Sequence, residues 1–302
     1  MQVLLLGTAA GGGFPQWNCW CPVCRVARSD PAAARPRTQS SAAVSADGAH
    51  WFLLNASPDV REQLRRLTDG TPAGHRHVPV EGVVLTDAEL DHSMGVALLR
   101  EARHLPLWAT PAVERILRDD SRIVSVARAF AEMPCTPLVP GVPVPLARRD
   151  GAGAGLEAEA FVVAADPPRF ARQTEAGHTV GLEITEPATG RRLVYVPGCG
   201  ALDDALIARM ARADLVLFDG TFWADDELVA LGIGTRTARQ LDHLPIGGPD
   251  GSLARLGTLR GPRRVYVHLN NTNPVLLEHS AERAAVVAAG LEVGADGMTF
   301  TL

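Results

Sequence analysis

No window of this chain approaches the ~20 uninterrupted apolar residues that a bilayer span requires, so membrane insertion is not expected. The opening Met1-Gln2-Val3-Leu4-Leu5-Leu6-Gly7 also lacks the charged n-region of a signal peptide and runs straight into a glycine-rich turn, which reads as a first β-strand in a cytoplasmic protein. Excess positive charge is missing too. Lys and Arg total 29 against 34 Asp and Glu, a formal net charge of −5 spread along the chain, and this gives no footprint for nucleic acid. Cysteine is scarce, and five is an odd number that suits no disulfide framework. Nor is there a Ser/Gly linker, a charge block or an internal repeat, so the 302 residues, 46% of them hydrophobic, read as one globular domain over 1–302.

What is present is a series of short β-branched or aliphatic runs separated by turns, at 2–6, 42–46, 51–55, 81–86, 107–109, 160–164, 179–185, 192–196, 214–219, 264–268 and 297–302. Helical patterns fall between several of them, at 58–67 behind Ser57, 93–102, 111–118, 201–212 and 281–289. Strands grouped in each half with helices interspersed predict an α/β fold of two sheets packed face to face with helices outside. A dinucleotide-binding reading of Gly11-Gly12-Gly13 fails, because Phe14-Pro15 follows where a phosphate-cradling helix would have to begin. Residues 136–156, rich in Pro, Gly and Ala, read as a long surface connection or flap.

Three of the five cysteines, Cys19, Cys21 and Cys24, fall within six residues of one another. A tight turn can point all three inward, and soft thiolates in tetrahedral geometry favour a structural zinc whose fourth ligand comes from elsewhere in the chain. His268 is one candidate, beside the polar loop Asn270-Asn271-Thr272-Asn273. Cys135 and Cys199 stand alone and read as small buried hydrophobes.

A second candidate site is Thr86-Asp87-Ala88-Glu89-Leu90-Asp91-His92-Ser93, where a strand ends in an acidic loop and re-enters a helix. An acidic loop with one His is often no more than a helix cap. As a metal site, however, one or two imidazoles with carboxylates make a harder donor set than a His-rich zinc centre. Such a set suits Fe(II) or Mn(II), and two His with one carboxylate and open positions is the arrangement used to activate oxygen.

Several blocks carry a resemblance that runs from residue 4 to the C-terminus: Leu6-Gly7-Thr8-Ala9-Ala10-Gly11-Gly12-Gly13-Phe14-Pro15-Gln16-Trp17-Asn18-Cys19, Arg35-Pro36-Arg37-Thr38-Gln39-Ser40-Ser41, Leu54-Asn55-Ala56-Ser57-Pro58-Asp59, Tyr195-Val196-Pro197-Gly198-Cys199, Leu217-Phe218-Asp219-Gly220-Thr221 and Val267-His268-Leu269-Asn270-Asn271-Thr272-Asn273-Pro274. In these blocks the chain resembles the pyrroloquinoline quinone (PQQ) biosynthesis protein B family of the metallo-β-lactamase superfamily. The resemblance implies an αββα four-layer sandwich of two mixed sheets with helices outside. The superfamily's H-x-H-x-D-H loop falls on Asp87, Glu89, Asp91 and His92, with both leading histidines replaced by carboxylates, and its last-strand histidine falls on His268. The aspartate that bridges two metals would fall near Gly198-Cys199, where no carboxylate stands, so a single catalytic metal is expected rather than a two-metal hydrolase.

The function implied is iron- and O2-dependent hydroxylation of the tyrosine ring of a Glu-Tyr derived PQQ precursor, an oxidoreductase activity, with Glu89, Asp91, His92 and His268 holding one Fe2+ or other divalent ion. The alternative is a carrier that moves PQQ or its precursor toward the periplasm without catalysis. Arg35, Arg37, Asn55, Asn270 and Asn273 are expected to engage the carboxylates of the precursor or of PQQ itself, with Asp219 and His243 as further pocket candidates. A homodimer is admitted as the assembly.

Overall fold

The computed structural model describes residues 1–67 and 75–302. Fourteen strands are described in it: β1 (Gln2–Gly7), β2 (Ser41–Ser45), β3 (Trp51–Leu54), β4 (Val80–Val84), β5 (Leu107–Ala109), β6 (Cys135–Pro137), β7 (Val144–Ala147), β8 (Gly153–Val162), β9 (Val180–Glu186), β10 (Arg191–Val196), β11 (Leu215–Asp219), β12 (Arg263–Val267), β13 (Glu292–Val293) and β14 (Thr299–Thr301). They form two seven-stranded sheets, in the orders β14-β1-β2-β3-β4-β5-β6 and β13-β12-β11-β10-β9-β8-β7.

The layering follows from alternation within each strand. Val3 and Leu5 of β1, Phe52 and Leu54 of β3 and Val84 of β4 face the second sheet, where Leu182, Ile184, Leu193, Tyr195, Leu217 and Val267 meet them. The residues between, Leu4, Leu6, Leu53, Val83 and Leu85, turn outward under a helical layer carrying Val60, Val96, Val113, Ile116 and Val124. On the far side Val194, Val196, Val216, Phe218 and Tyr266 are covered by Leu206, Met210, Leu256 and Val286, and by Cys24 and Ala27 of the helix Pro22–Ser29. A strand buried on both faces has no polar side to spare, which is why these runs read as continuously apolar. Each side chain such as Phe52 or Leu54, both at 0% exposure, contributes about 1.5–3 kcal/mol by leaving water. The result is the expected αββα sandwich.

Two expectations change. Residues 136–156 are not a flap: they hold the end of β6, all of β7 and the start of β8. Pro145 is accommodated because β7 is an edge strand, where a missing N–H costs no ladder bond on the open side, and Leu156, Ala158 and Ala160 point into the inter-sheet core. The helical pattern at 93–102 is broken into Leu90–Ser93, Gly95–Leu98 and the 3-10 turn Arg100–Ala102. Gly95 allows that break to pack closely, since a Cβ there would lie 2.3 Å from the Ser57 carbonyl oxygen. No described helix is long and apolar enough to cross a membrane.

In the first sheet β3, β4 and β5 run parallel, and in the second β10, β11 and β12 do. Their carboxyl ends release Asn55, the loop 85–92, Gly198-Cys199, Asp219 and His268 toward a shared region. The carboxyl edge of parallel strands is where α/β folds place their ligands.

Candidate metal centre

The acidic loop is shaped from within. Asn55, in the left-handed region at φ 63°, ends β3 and braces the exit of β4: its Nδ2 donates to Thr86 Oγ1 at 2.8 Å and its Oδ1 accepts from Thr86 N at 2.9 Å. Thr86 Oγ1 lies 2.7 Å from Asp87 Oδ2, and Asp87 Oδ1 accepts from Glu89 N at 2.9 Å, which turns the chain into the helix Leu90–Ser93. His92 is the product of that turn. Its Nδ1 bonds Asp87, 2.8 Å from Oδ2 and 2.9 Å from Oδ1, which makes its other nitrogen the one able to give a lone pair to a cation. That atom, Nε2, is buried without a hydrogen-bond partner, and the nearest carboxylate oxygen, Asp91 Oδ2, is 4.0 Å away.

From the opposite sheet His268 follows β12 in the left-handed region, at φ 57°. The Thr221 hydroxyl has one proton to give; Asp219 Oδ1 takes it at 2.6 Å, so the same oxygen accepts from His268 Nδ1 at 2.8 Å. His268 Nε2 lies 3.1 Å from Asp91 Oδ2, hydrogen-bonded to it in the absence of an ion, and with Nδ1 on Thr221 it is the nitrogen that can turn to a cation. One carboxylate oxygen and two imidazole nitrogens thus converge, all within 4.8 Å of one another. An acceptor left bare in the interior costs roughly 1–3 kcal/mol. A cation at the meeting point removes that cost and satisfies all three donors, so the residues fit a divalent metal.

Charge agrees with geometry. Burial works against the ionised form of Asp91, but His92 and His268 hold its carboxyl well below the usual range. Burial likewise opposes a charged His92, and Asp87 and Asp91 outweigh it, raising His92 to about 9 when no ion competes for the nitrogen. Glu89 is placed differently: exposed on the same cavity and outside the cluster, its carboxyl is pushed up to about 7 by desolvation and by the charges of Asp87 and Asp91.

His243 stacks on His268 with ring centroids 5.4 Å apart and lies edge-on to Phe222 at 5.9 Å. Its Nδ1 donates to Asp219 Oδ2 at 2.7 Å. Asp219, at 0% exposure, is saturated: besides His243 it accepts from Cys199 N at 3.0 Å, Thr221 N at 2.9 Å and the Thr221 hydroxyl. It orients His243, and with His243 and His268 it also forms a second group of potential metal ligands within 4.8 Å of one another, sharing His268 with the first. These groups open onto a cavity of about 820 Å³ that is also lined by Gly11, Gly12, Phe170, Arg169, Arg236 and Asn270. Gly11 is needed at its floor, since a Cβ there would stand 3.3 Å from Asp91 Oδ2.

The substrate contacts expected from residue type divide in two. Asn270 and His243 line the cavity, whereas Arg35, Arg37, Asn55 and Asn273 do not. Arg35 is exposed elsewhere. Arg37 is buried, donating from Nη1 to Thr8 Oγ1 at 2.9 Å and to the Gly294 carbonyl while Nε and Nη2 find no partner among the described residues. Asn55 is the brace described above, and Asn273 caps the turn Pro274–Leu276 while donating to Gly220 O at 2.9 Å. Sequence reasoning missed Thr221, Arg169, Arg236 and the two phenylalanines. Thr221 stands in the noted Asp219-Gly220-Thr221 block, but nothing in its type marks it as the link between Asp219 and His268.

The sulfur atoms of Cys19, Cys21 and Cys24 also lie within 4.8 Å of one another. Cys21 caps the helix Pro22–Ser29, accepting from Cys24 N at 3.4 Å, with Pro22 preset for the first turn. A hydrogen bond from the Cys21 thiol holds Cys24 down at about 5, while that bond and burial push Cys21 up. His268 belongs to the other cluster; the group beside the thiols is Asn271, whose carbonyl oxygen is 3.6 Å from Cys21 Sγ and 3.7 Å from Cys24 Sγ. All five cysteines are free.

An αββα sandwich with an Asp-His-His cluster at the carboxyl ends of its central strands defines a metallo-β-lactamase-type metal-binding protein, and the beta-lactamase superfamily domain matches residues 50–269. Over its whole length the chain is 42% identical to the coenzyme PQQ synthesis protein B of Rhodopseudomonas palustris strain TIE-1, covering all of that protein, and 44% identical to that of Methylobacterium radiotolerans, again with full coverage of both. The crystal structure of Zn2+-bound PqqB from Methylobacterium extorquens superposes with a TM-score of 0.89 at 40% identity and full coverage of both chains. A diphosphatase of the PhnP family shares the fold at a TM-score of 0.70 and 19% identity, over all of this chain and 97% of its own. The chain belongs to the coenzyme PQQ synthesis protein B family.

Proposed function

We propose that this protein hydroxylates the tyrosine ring of a Glu-Tyr derived PQQ precursor, using one Fe2+ held by Asp91, His92 and His268 and O2 as co-substrate. The observation that carries this reading is the buried, unpartnered His92 Nε2 aimed at Asp91 and His268 beside an 820 Å³ cavity. Two imidazoles and one carboxylate leave coordination positions free, and the bound ion supplies the activation of oxygen. Asp219, His243 and His268 also lie within 4.8 Å of one another, but both Asp219 oxygens already accept from protein donors and no carboxylate stands at Gly198-Cys199 to bridge two ions, which favours a single ion at Asp91, His92 and His268.

The chain's own residues do the rest. Asp87 and Thr221 fix the tautomers of His92 and His268. Phe170 and Phe222 offer apolar walls for an aromatic ring. His243, with Nδ1 tied to Asp219, has Nε2 free to take the phenol proton as the ring is oxidised; burial lowers its basicity, but Asp219 and Asp91 more than restore it. The cysteine cluster takes a structural Zn2+, the role that three soft thiolates with a fourth ligand suit.

The test is anaerobic loading with Fe(II), addition of a tyrosine-containing precursor, admission of O2, and mass spectrometry for a gain of one oxygen atom. Asp91→Ala and His92→Ala abolish the gain on this reading. Tight binding of PQQ with no gain in any metal-loaded state sinks the hydroxylase and leaves the carrier.

A further inference from the structure

Two cations face the cavity with no carboxylate of the described residues in ion-pair contact; Arg169 acts on Glu89 only through space. Arg169, on the segment between β8 and β9, makes no ion pair or hydrogen bond to any described residue, and Arg236 is tied only through Nη2 to the Gln240 carbonyl. Both are exposed, and they line the same cavity as the metal cluster. Asp166 and Asp242 line it too, close to these arginines in sequence, yet neither closes onto them. The chain contains no lysine, so every fixed side-chain cation other than imidazolium is a planar fork with paired donors, the geometry that grips a carboxylate by two parallel bonds.

From this placement we infer that Arg169 and Arg236 form a two-point clamp for an aromatic polycarboxylate, gripping two of its carboxylates while the ring lies between Phe170 and Phe222. The inference rests on reading the cavity as the substrate site and names the chemistry that selects the substrate there. Selectivity arises from placement rather than net charge: Glu89, Asp166 and Asp242 repel any carboxylate that misses the forks. The arginines act by positioning and have no part in the oxygen chemistry.

The experiment is calorimetric titration, without oxygen, of the metal-free and the metal-loaded protein with benzene-1,3,5-tricarboxylate, and with benzoate as the single-carboxylate control. Arg169→Ala and Arg236→Ala are each expected to weaken the tricarboxylate by about tenfold, the size of one lost charge-assisted pair, and the double variant to bring it to the level of benzoate. Arg169→Lys retains part of the affinity and steepens its loss with salt, because a point charge replaces the fork. Unchanged binding in both alanine variants overturns the clamp, as does binding that needs the metal and ignores both arginines. Oxygen incorporation is read separately, so the clamp and the hydroxylase reading fail independently.

Discussion

The thiol cluster and the imidazole–carboxylate cluster are joined by one loop, yet they are enclosed differently. Around Cys19, Cys21 and Cys24 the chain closes in: Cys21 and Cys24 are buried, one caps the helix that carries the other, and the Asn271 carbonyl presses on both sulfurs. Around Asp91, His92 and His268 it opens, with three donors on one side and a cavity on the other. Donor softness follows the same division, thiolates where an ion is to be kept and carboxylate with imidazole where it is to meet a ligand. Coordination by the protein can be spent on holding a fold or on leaving a position vacant, and the two clusters are built for these two uses on the proposed reading.

That contrast breaks most sharply at the cavity ligands. Asp91→Ala is expected to cut divalent-metal affinity of the cavity cluster by at least about a hundredfold while the thiol cluster keeps its ion, so elemental analysis after dialysis falls by one equivalent and no more. Loss of both ions would show that the clusters are not separate. Next in size, Asp87→Asn keeps the shape of the loop but weakens the anchor of His92, and a metal titration should read about 10–100-fold lower affinity.

Smaller effects test the connection. Cys24→Ser should strip the thiol ion, lower the melting temperature and loosen cavity metal binding by about tenfold, because Asn271 sits three residues beyond His268 on the same loop. In the native protein the Cys24 thiol is held at about 5, below the ordinary thiol range, so stabilisation from its ionised form is present at neutral pH. In the metal-free protein it is lost as pH falls through about 5, and because a bound ion competes with protons for the same thiolates, metal release measured against pH should come at more acid pH than that. The smallest effect is expected of Gly11→Ala, whose Cβ meets Asp91 Oδ2 at 3.3 Å; a few-fold weaker cavity affinity with an unchanged thiol site is the outcome to look for.

Much of this was legible in the sequence, and what was not has a physical cause. Continuously apolar runs such as 3–6 and 51–54 announced two-sided burial, and the spacing of Cys19, Cys21 and Cys24 and of Asp91 and His92 announced the donors. The strands β7 and β8 were hidden because an edge strand tolerates Pro145, and a strand facing a crowded core tolerates Ala158 and Ala160. Helix Pro22–Ser29 was hidden behind the cysteine motif that begins it. Polar residue type misled at Arg37, Asn55 and Asn273, since a donor that braces a backbone and one that meets a ligand look alike until the fold shows which way each side chain turns. Arg169 and Arg236 lie on irregular segments with no period to single them out.

The loop from His268 to Asn273 answers to two masters, since its first residue serves the cavity and its fourth touches the sulfurs. Heredity should respect that tie. A chimaera that takes its first thirty or so residues from one relative and the rest from another will keep both sites only when this loop comes from the donor of the cysteines, or fits them equally well.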